Sequence, residues 1–270
     1  MVEILKAILF GILEGVTEWL PVSSTGHLIL LDGFIRLRVS EDLSALFEVM
    51  IQLGAIMAVV VLFFRKLYPF RKSGQLRSKT WRLWSLVTVA VIPSGILGIL
   101  LDDWMEDHLH GAFVVCAMLI LYGIAFLLVE RRSALRSPGS REIDPKTALL
   151  IGCFQALSLV PGTSRSGATI LGAMLLGVDR AAGAEFSFFM AIPTMLGAGA
   201  VRLLKFAASG ARITGLELGI LVTGCTVSFL VSMVVIRSLM DYVKQRSFAV
   251  FGVYRIVLGI LVLGYFTFVK

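Results

Sequence analysis

Gly11-Ile-Leu-Glu-Gly-Val-Thr-Glu-Trp-Leu-Pro-Val-Ser-Ser-Thr-Gly26 decides the reading of this chain, because it interrupts an apolar region, about 3–36, with a polar turn. The break runs from Pro21 to His27 and leaves two helical pieces, each short for a membrane span. A turn of this kind at membrane depth is tolerated only when buried in protein or lining a wet cavity. The economical reading is a helix–loop–helix hairpin that enters and leaves on one side; the alternative is two short spans with an exposed loop. A second apolar region, about 145–178, is broken in the same way by Pro161-Gly-Thr-Ser-Arg-Ser-Gly167. Gly152 to Gly167 lies on Gly11 to Gly26 without a gap, at an offset of 141 residues. Gly, Ser and Gly coincide at the first, thirteenth and last places, Gln155 faces Glu14, and Thr17 and Thr25 face serines.

Between and after the two broken regions lie six unbroken apolar runs, about 46–64, 84–101, 111–129, 184–204, 216–236 and 248–268. Each is long enough to cross a hydrocarbon core of roughly 30 Å. The composition agrees: 57% of the 270 residues are hydrophobic, 16% are charged and the mean hydropathy is +0.90, against about a quarter charged in a soluble domain. The chain therefore reads as an all-α polytopic membrane protein, one membrane domain over 1–270. Its halves, 1–142 and 143–270, are each a re-entrant hairpin followed by three transmembrane helices. Three is odd, so the second half is expected upside down relative to the first, an inverted repeat of the kind common among transporters.

The net charge of +7 sits in loops rather than on one surface, which argues for membrane topology and against a nucleic-acid partner. Linker 65–82 holds Arg65, Lys66, Arg71, Lys72, Arg77, Lys79 and Arg82 and no acid; linker 130–146 adds Arg131, Arg132, Arg136, Arg141 and Lys146. Alternating spans put both on one face with Arg237, Lys244 and Arg246, and leave the acidic 102–110 and the nearly neutral 207–215 on the other. Positive-inside places the basic face in the cytoplasm, so the first hairpin is expected to enter from outside and the second from inside. Cys116, Cys153 and Cys225 are far apart and read as packing residues. With no basic leader or small-residue cleavage site, the first apolar run is expected to stay in the protein.

Each charge inside an apolar run costs about 2.5–3.5 kcal/mol and asks for a reason. Glu14 and Glu18, four apart on one helix face, suit a hard divalent cation, Mg²⁺ or Ca²⁺, or general-base work. Ser23, Ser24, Thr25 and His27 follow at the turn. A hydroxyl near an imidazole and a carboxylate has the parts of an activated nucleophile, although Ser-Ser-Thr before a helix is also an ordinary cap. Arg165, with Ser164, Ser166 and Thr169 at the second turn, reads as a phosphate cradle, or as the ion-pair partner of Glu14, Glu18 or Glu48. Glu48, Gln52 and Arg255 form a second tier, Arg255 being equally readable as a snorkelling anchor. His108 and His110 in the acidic loop read as a solvated loop before a metal site. A lipid flippase would need the same phosphate clamp but no nucleophile.

Glu14-Gly-Val-Thr-Glu-Trp-Leu-Pro-Val-Ser-Ser-Thr-Gly-His27 and Pro161-Gly-Thr-Ser-Arg-Ser-Gly-Ala-Thr169 resemble the two signature motifs of the undecaprenyl-diphosphate phosphatase family, the bacitracin-resistance type. Phe47-Glu-Val-Met-Ile-Gln-Leu-Gly54 and Val253-Tyr-Arg-Ile256 resemble further segments of it. The resemblance implies hydrolysis of a polyprenyl diphosphate lipid to the monophosphate carrier, recycled for peptidoglycan synthesis in the bacterial inner membrane. It implies a site open to the periplasm, a divalent cation, a homodimer, and roles for Glu14, Glu18, Ser24, His27 and Arg165. Serine or water remains open as the nucleophile, and His27 or a glutamate as the group that handles the proton.

Overall fold

The computed structural model describes residues 1–70, 74–109, 111–134 and 141–268, without the side chains of Glu41, Asp102, Asp103, Glu106, Asp107, Ser133 and Ala134. Every regular element among the described residues is helical. The first broken region forms α1 (Val2–Thr17) and α2 (Ser24–Phe34). The second forms α7 (Pro145–Ala156), a 3₁₀ turn (Leu157–Leu159) and α8 (Arg165–Leu175). At 1.5 Å per residue these four helices extend about 24, 16, 18 and 16 Å, all short of a bilayer core.

Among the described residues six helices are long and apolar enough to cross: α3 (Glu41–Leu62), α5 (Gly74–Leu109), α6 (Ala112–Ala134), α9 (Arg180–Ala208), α10 (Gly215–Gln245) and α11 (Ala249–Phe268). They coincide with the six apolar runs, and a four-residue α4 (Phe64–Leu67) joins α3 to α5. The protein is thus an all-α, multi-pass membrane protein. One boundary differs from the sequence reading. Helix α5 has 36 residues and carries Arg77, Lys79 and Arg82 at one end and Trp104 to Leu109 at the other. Charge ends an apolar run without ending a helix, because charged side chains leave the backbone i to i−4 hydrogen bonds intact. Arg71, Lys72, Arg136 and His110 lie outside the described residues.

The offset of 141 residues reappears in the elements. Ser24–Phe34 corresponds end to end with Arg165–Leu175. Packing crosses between halves: α1 lies against α10, α7 against α5, α3 against α9 and α6 against α11. Glycine permits the first two approaches. A Cβ on Gly11 would come within 2.6 Å of the Gly224 carbonyl oxygen, and one on Gly152 would collide with that of Ala90. Small residues at such crossings let backbones pack closely where water supplies no drive for association.

Two buried charges tie the ends together. Glu130 accepts from Arg180 Nη2 at the start of α9 and from the Phe248 backbone N–H ahead of α11. Arg255, fully buried on α11, is no snorkelling anchor. Its guanidinium reaches the carbonyl oxygens of Pro21 in the first turn (3.1 Å), Gly162 (2.8 Å) and Thr163 (2.9 Å) in the second, and Met118 (3.3 Å) and Leu119 (3.5 Å) on α6. It also lies over the Tyr122 ring, 5.4 Å from its centroid. Replacing Arg255 with Leu removes the donors and leaves the turn carbonyls of Pro21, Gly162 and Thr163 buried, each worth about 1–3 kcal/mol when unsatisfied. The thermal midpoint in detergent is expected to fall by roughly 10 °C or more, with Arg255→Lys intermediate, for a domain in which 1 kcal/mol moves it by about 2–4 °C.

Candidate active site

Both turns use one device. Ser23 and Ser164 have φ of 74° and 72°, the left-handed region that L-residues rarely adopt. Each is the N-cap of the helix that follows: Ser23 Oγ accepts from the Gly26 N–H (3.3 Å) and Ser164 Oγ from the Gly167 N–H (3.1 Å). Strain of about 1–3 kcal/mol per such residue persists where surroundings over-determine it; here the caps and Arg255 do so.

The residue after each strained serine is the first of its helix: Ser24 on α2, Arg165 on α8. These two offset-related positions meet on one carboxylate. Glu18 continues α1 past its last turn and is 6% exposed. Its Oε2 accepts from Ser24 Oγ at 2.7 Å, and its Oε1 accepts from Arg165 Nη2 (3.0 Å) and Nε (3.3 Å). Arg165 Nη1 donates to the Ser187 carbonyl (2.8 Å), and the guanidinium lies 5.8 Å from the centroid of the buried Trp19 ring. Three of its five N–H groups are thereby engaged, leaving two for a further acceptor.

Of the residues expected to cradle phosphate, several stitch the turns together. Ser166 Oγ reaches the Glu18 and Leu20 carbonyl oxygens at 3.0 and 3.2 Å, and Thr169 pairs with Ser187 Oγ at 2.6 Å. Ser23 and Ser164 are engaged as caps, while Thr25 is exposed. Arg255 braces both turns from beneath. Glu14 is fully buried, and neither of its carboxylate oxygens has a hydrogen-bond partner. Gln155, at the related place, donates to Ser94 and Thr194. Glu48 is exposed and Gln52 half-buried on α3. His27 points away from the Ser24–Glu18 contact: Nδ1 lies 2.7 Å from the Ser23 carbonyl oxygen and Nε2 2.6 Å from Tyr254 Oη. His108 lies 2.8 Å from the Trp104 carbonyl oxygen; His110 and the acid side chains around it fall outside the described residues. Tyr254 and Ser187 were not singled out in the sequence. Tyr254 sits in the family-like segment 253–256, whereas nothing in the sequence points to Ser187.

Fold and site define a polytopic membrane protein with a hydroxyl, a carboxylate and a guanidinium joined at the meeting of two broken helical hairpins. The chain belongs to the bacitracin resistance protein BacA family, whose model matches residues 7–261. It is 53% identical to an undecaprenyl-diphosphatase of Lactiplantibacillus plantarum over the whole of both chains. It is 55% identical to one of Enterococcus faecalis (97% of this chain, 96% of the relative) and 52% identical to one of Streptococcus mutans (97% and 96%).

Removing one partner of a buried ion pair costs about 3–5 kcal/mol, chiefly because the other charge is left uncompensated. Arg165→Leu is therefore expected to destabilise the fold strongly in thermal unfolding, and Arg165→Leu with Glu18→Leu to recover most of the loss.

Proposed function

We propose that the site hydrolyses the terminal phosphoanhydride of undecaprenyl diphosphate, giving undecaprenyl phosphate and inorganic phosphate. This is the reaction named for the relatives, and it returns the lipid carrier to cell-wall synthesis and underlies bacitracin resistance in the family. The observation that carries the mechanism is Glu18, which holds Ser24 with one oxygen and Arg165 with the other.

The two free N–H groups of Arg165, with the first-turn N–H groups of α2 and α8, receive the terminal phosphate. Helix N-termini favour anions. Ser24 Oγ attacks the terminal phosphorus while Glu18 takes its proton. The bond to the bridging oxygen breaks, and Glu18 passes the proton to the departing undecaprenyl phosphate. Water then attacks the phosphoserine; Glu18 accepts its proton and returns it to Ser24 Oγ as phosphate leaves. Positioning and charge stabilisation supply most of the rate in phosphoryl transfer, and both are prearranged here. His27, held by Ser23 and Tyr254, makes no contact with the Ser24 hydroxyl, which favours Glu18 over the imidazole for its proton.

Glu14 offers two buried carboxylate oxygens without hydrogen-bond partners beside this site, a donor set that fits Mg²⁺ or Ca²⁺. No group of three or more His, Cys, Asp or Glu stands together among the described residues, so Glu14 and Glu18 would hold such an ion with substrate and water oxygens completing its shell. When bound it would offset the diphosphate charge. In the bacterial plasma membrane, the basic loops lie in the cytoplasm, the halves are inverted and the site opens to the periplasm. The orientation of loops and halves rests on the loop charges and the repeat, and the periplasmic opening on the family resemblance. Association as a homodimer is implied by the family resemblance, and no step depends on it.

Phosphate release by the purified protein tests the reading. Ser24→Ala is expected to lose about 10³-fold in kcat, the order contributed by an activated nucleophile and its base, and to form no phosphoserine with labelled substrate. Release that survives Ser24→Ala would place water in the attacking role. Glu14→Gln is expected to retain the thermal midpoint of the parent in chelator while losing the stabilisation that added Mg²⁺ or Ca²⁺ gives it.

A further inference from the structure

We propose that Tyr254 is a positioning residue for the reaction, acting through His27 on the strained turn that presents Ser24. The proposal rests on the phosphatase reading of the same site.

A carbonyl oxygen only accepts, so the 2.7 Å contact with Ser23 puts a hydrogen on His27 Nδ1. A neutral imidazole then has its lone pair on Nε2, where the Tyr254 hydroxyl donates at 2.6 Å. The two rings are parallel, 2° between planes with centroids 5.6 Å apart, so both the tautomer and the plane of the imidazole are held. His27 is 8% exposed and Tyr254 45% exposed, which makes the hydroxyl the link between the imidazole and the outside of the bundle. The Ser23 carbonyl that receives Nδ1–H belongs to the residue at φ 74°, and the next residue is Ser24. The chain of contacts therefore runs from Tyr254 through His27 and the Ser23 carbonyl to the nucleophile.

The second turn serves as an internal control. At the same offset Ala168 stands for His27 and Phe113 for Tyr254, so neither the imidazole nor the hydroxyl has a counterpart. Yet Ser164 reaches φ 72°, caps Gly167, and takes the Ala168 N–H on its carbonyl at 2.9 Å. The turn thus folds without a His–Tyr pair. What distinguishes the first turn is that it carries Ser24, whose oxygen must keep its approach to phosphorus and to Glu18. Misplacement by about 1 Å from a change away from the chemistry costs on the order of 10²-fold. The pair supplies alignment rather than the fold.

Tyr254→Phe keeps the aromatic ring and removes only the hydroxyl. Its kcat for phosphate release from undecaprenyl diphosphate is expected to fall about tenfold or more, with KM within about twofold, since alignment acts on the transition state more than on binding. In protein labelled with ¹⁵N-histidine, whose histidines are His27, His108 and His110, the single Nδ1–H signature of His27 is expected to be lost, with His27→Asn identifying its signals. In a His27→Asn background the same substitution is expected to cost nothing further, because its effect passes through the imidazole. Wild-type kcat in Tyr254→Phe, an unchanged His27 signature, or losses that add fully in the double variant would each overturn the proposal. Wild-type release measured in parallel separates these outcomes from failure of the phosphatase reading. A Tyr254→Phe protein that unfolds at a lower temperature and recovers full kcat below its midpoint would show a purely structural hydroxyl, and would overturn it as well.

Discussion

Backbone that leaves helical geometry inside a membrane must find partners within the protein, because hydrocarbon offers none. This chain breaks at two places, and one side chain meets much of the demand at both. Arg255 sends its guanidinium to carbonyls of the first turn, the second turn and α6. A fully buried guanidinium is costly unless its N–H groups are engaged, and the carbonyls are costly unless donors reach them, so each cost offsets the other. The serines at positive φ, the helices that start after them and the meeting of the two hairpins all depend on this arrangement. It has the further effect of making α11 and α6 part of the site's foundation, although neither supplies a group to the Ser24–Glu18–Arg165 contact.

On this shared frame the two halves differ where chemistry is concerned. At matched positions stand Glu14 and Gln155, Glu18 and Leu159, Ser24 and Arg165, His27 and Ala168. The backbone device is the same in both turns, and the side chains mounted on it differ. One half brings hydroxyl and carboxylate, the other brings the guanidinium, and the first residue of α2 meets the first residue of α8 across Glu18. The proposed hydrolytic site needs unlike groups in one place. Two turns of like backbone and unlike side chains bring those groups together at a distance set by the packing of α1, α2, α7 and α8.

The hydroxyl inventory shows how close structural and chemical roles lie at such a turn. In Ser23-Ser24 the first serine closes the cap and the second faces Glu18; in Ser164-Arg165-Ser166 the outer two hydroxyls cap and stitch while the arginine between them meets the acid. The cap falls on Ser23, and the adjacent Ser24 is left to face Glu18. The ion-pair and phosphate readings of Arg165 are equally compatible, since its bonds to Glu18 and Ser187 leave two N–H groups over.

The sequence by itself determined that the chain is helical and membrane-spanning, where its six long helices and two breaks fall, and that Glu14, Glu18, Ser24 and Arg165 stand apart from their apolar neighbours. Hydropathy, helix length and the cost of buried charge are local quantities, so they can be read along the chain. Which group faces which was decided only in three dimensions. Residue spacing allowed His27 as readily as Glu18 to serve Ser24, and packing gave the contact to Glu18 while turning His27 toward Tyr254, 227 residues away. Arg255 looked like an end-of-span anchor because the sequence shows its distance from a helix end and not the carbonyls that converge on it. Direction and convergence come from the crossing of helices far apart in sequence, which no local pattern of residues encodes.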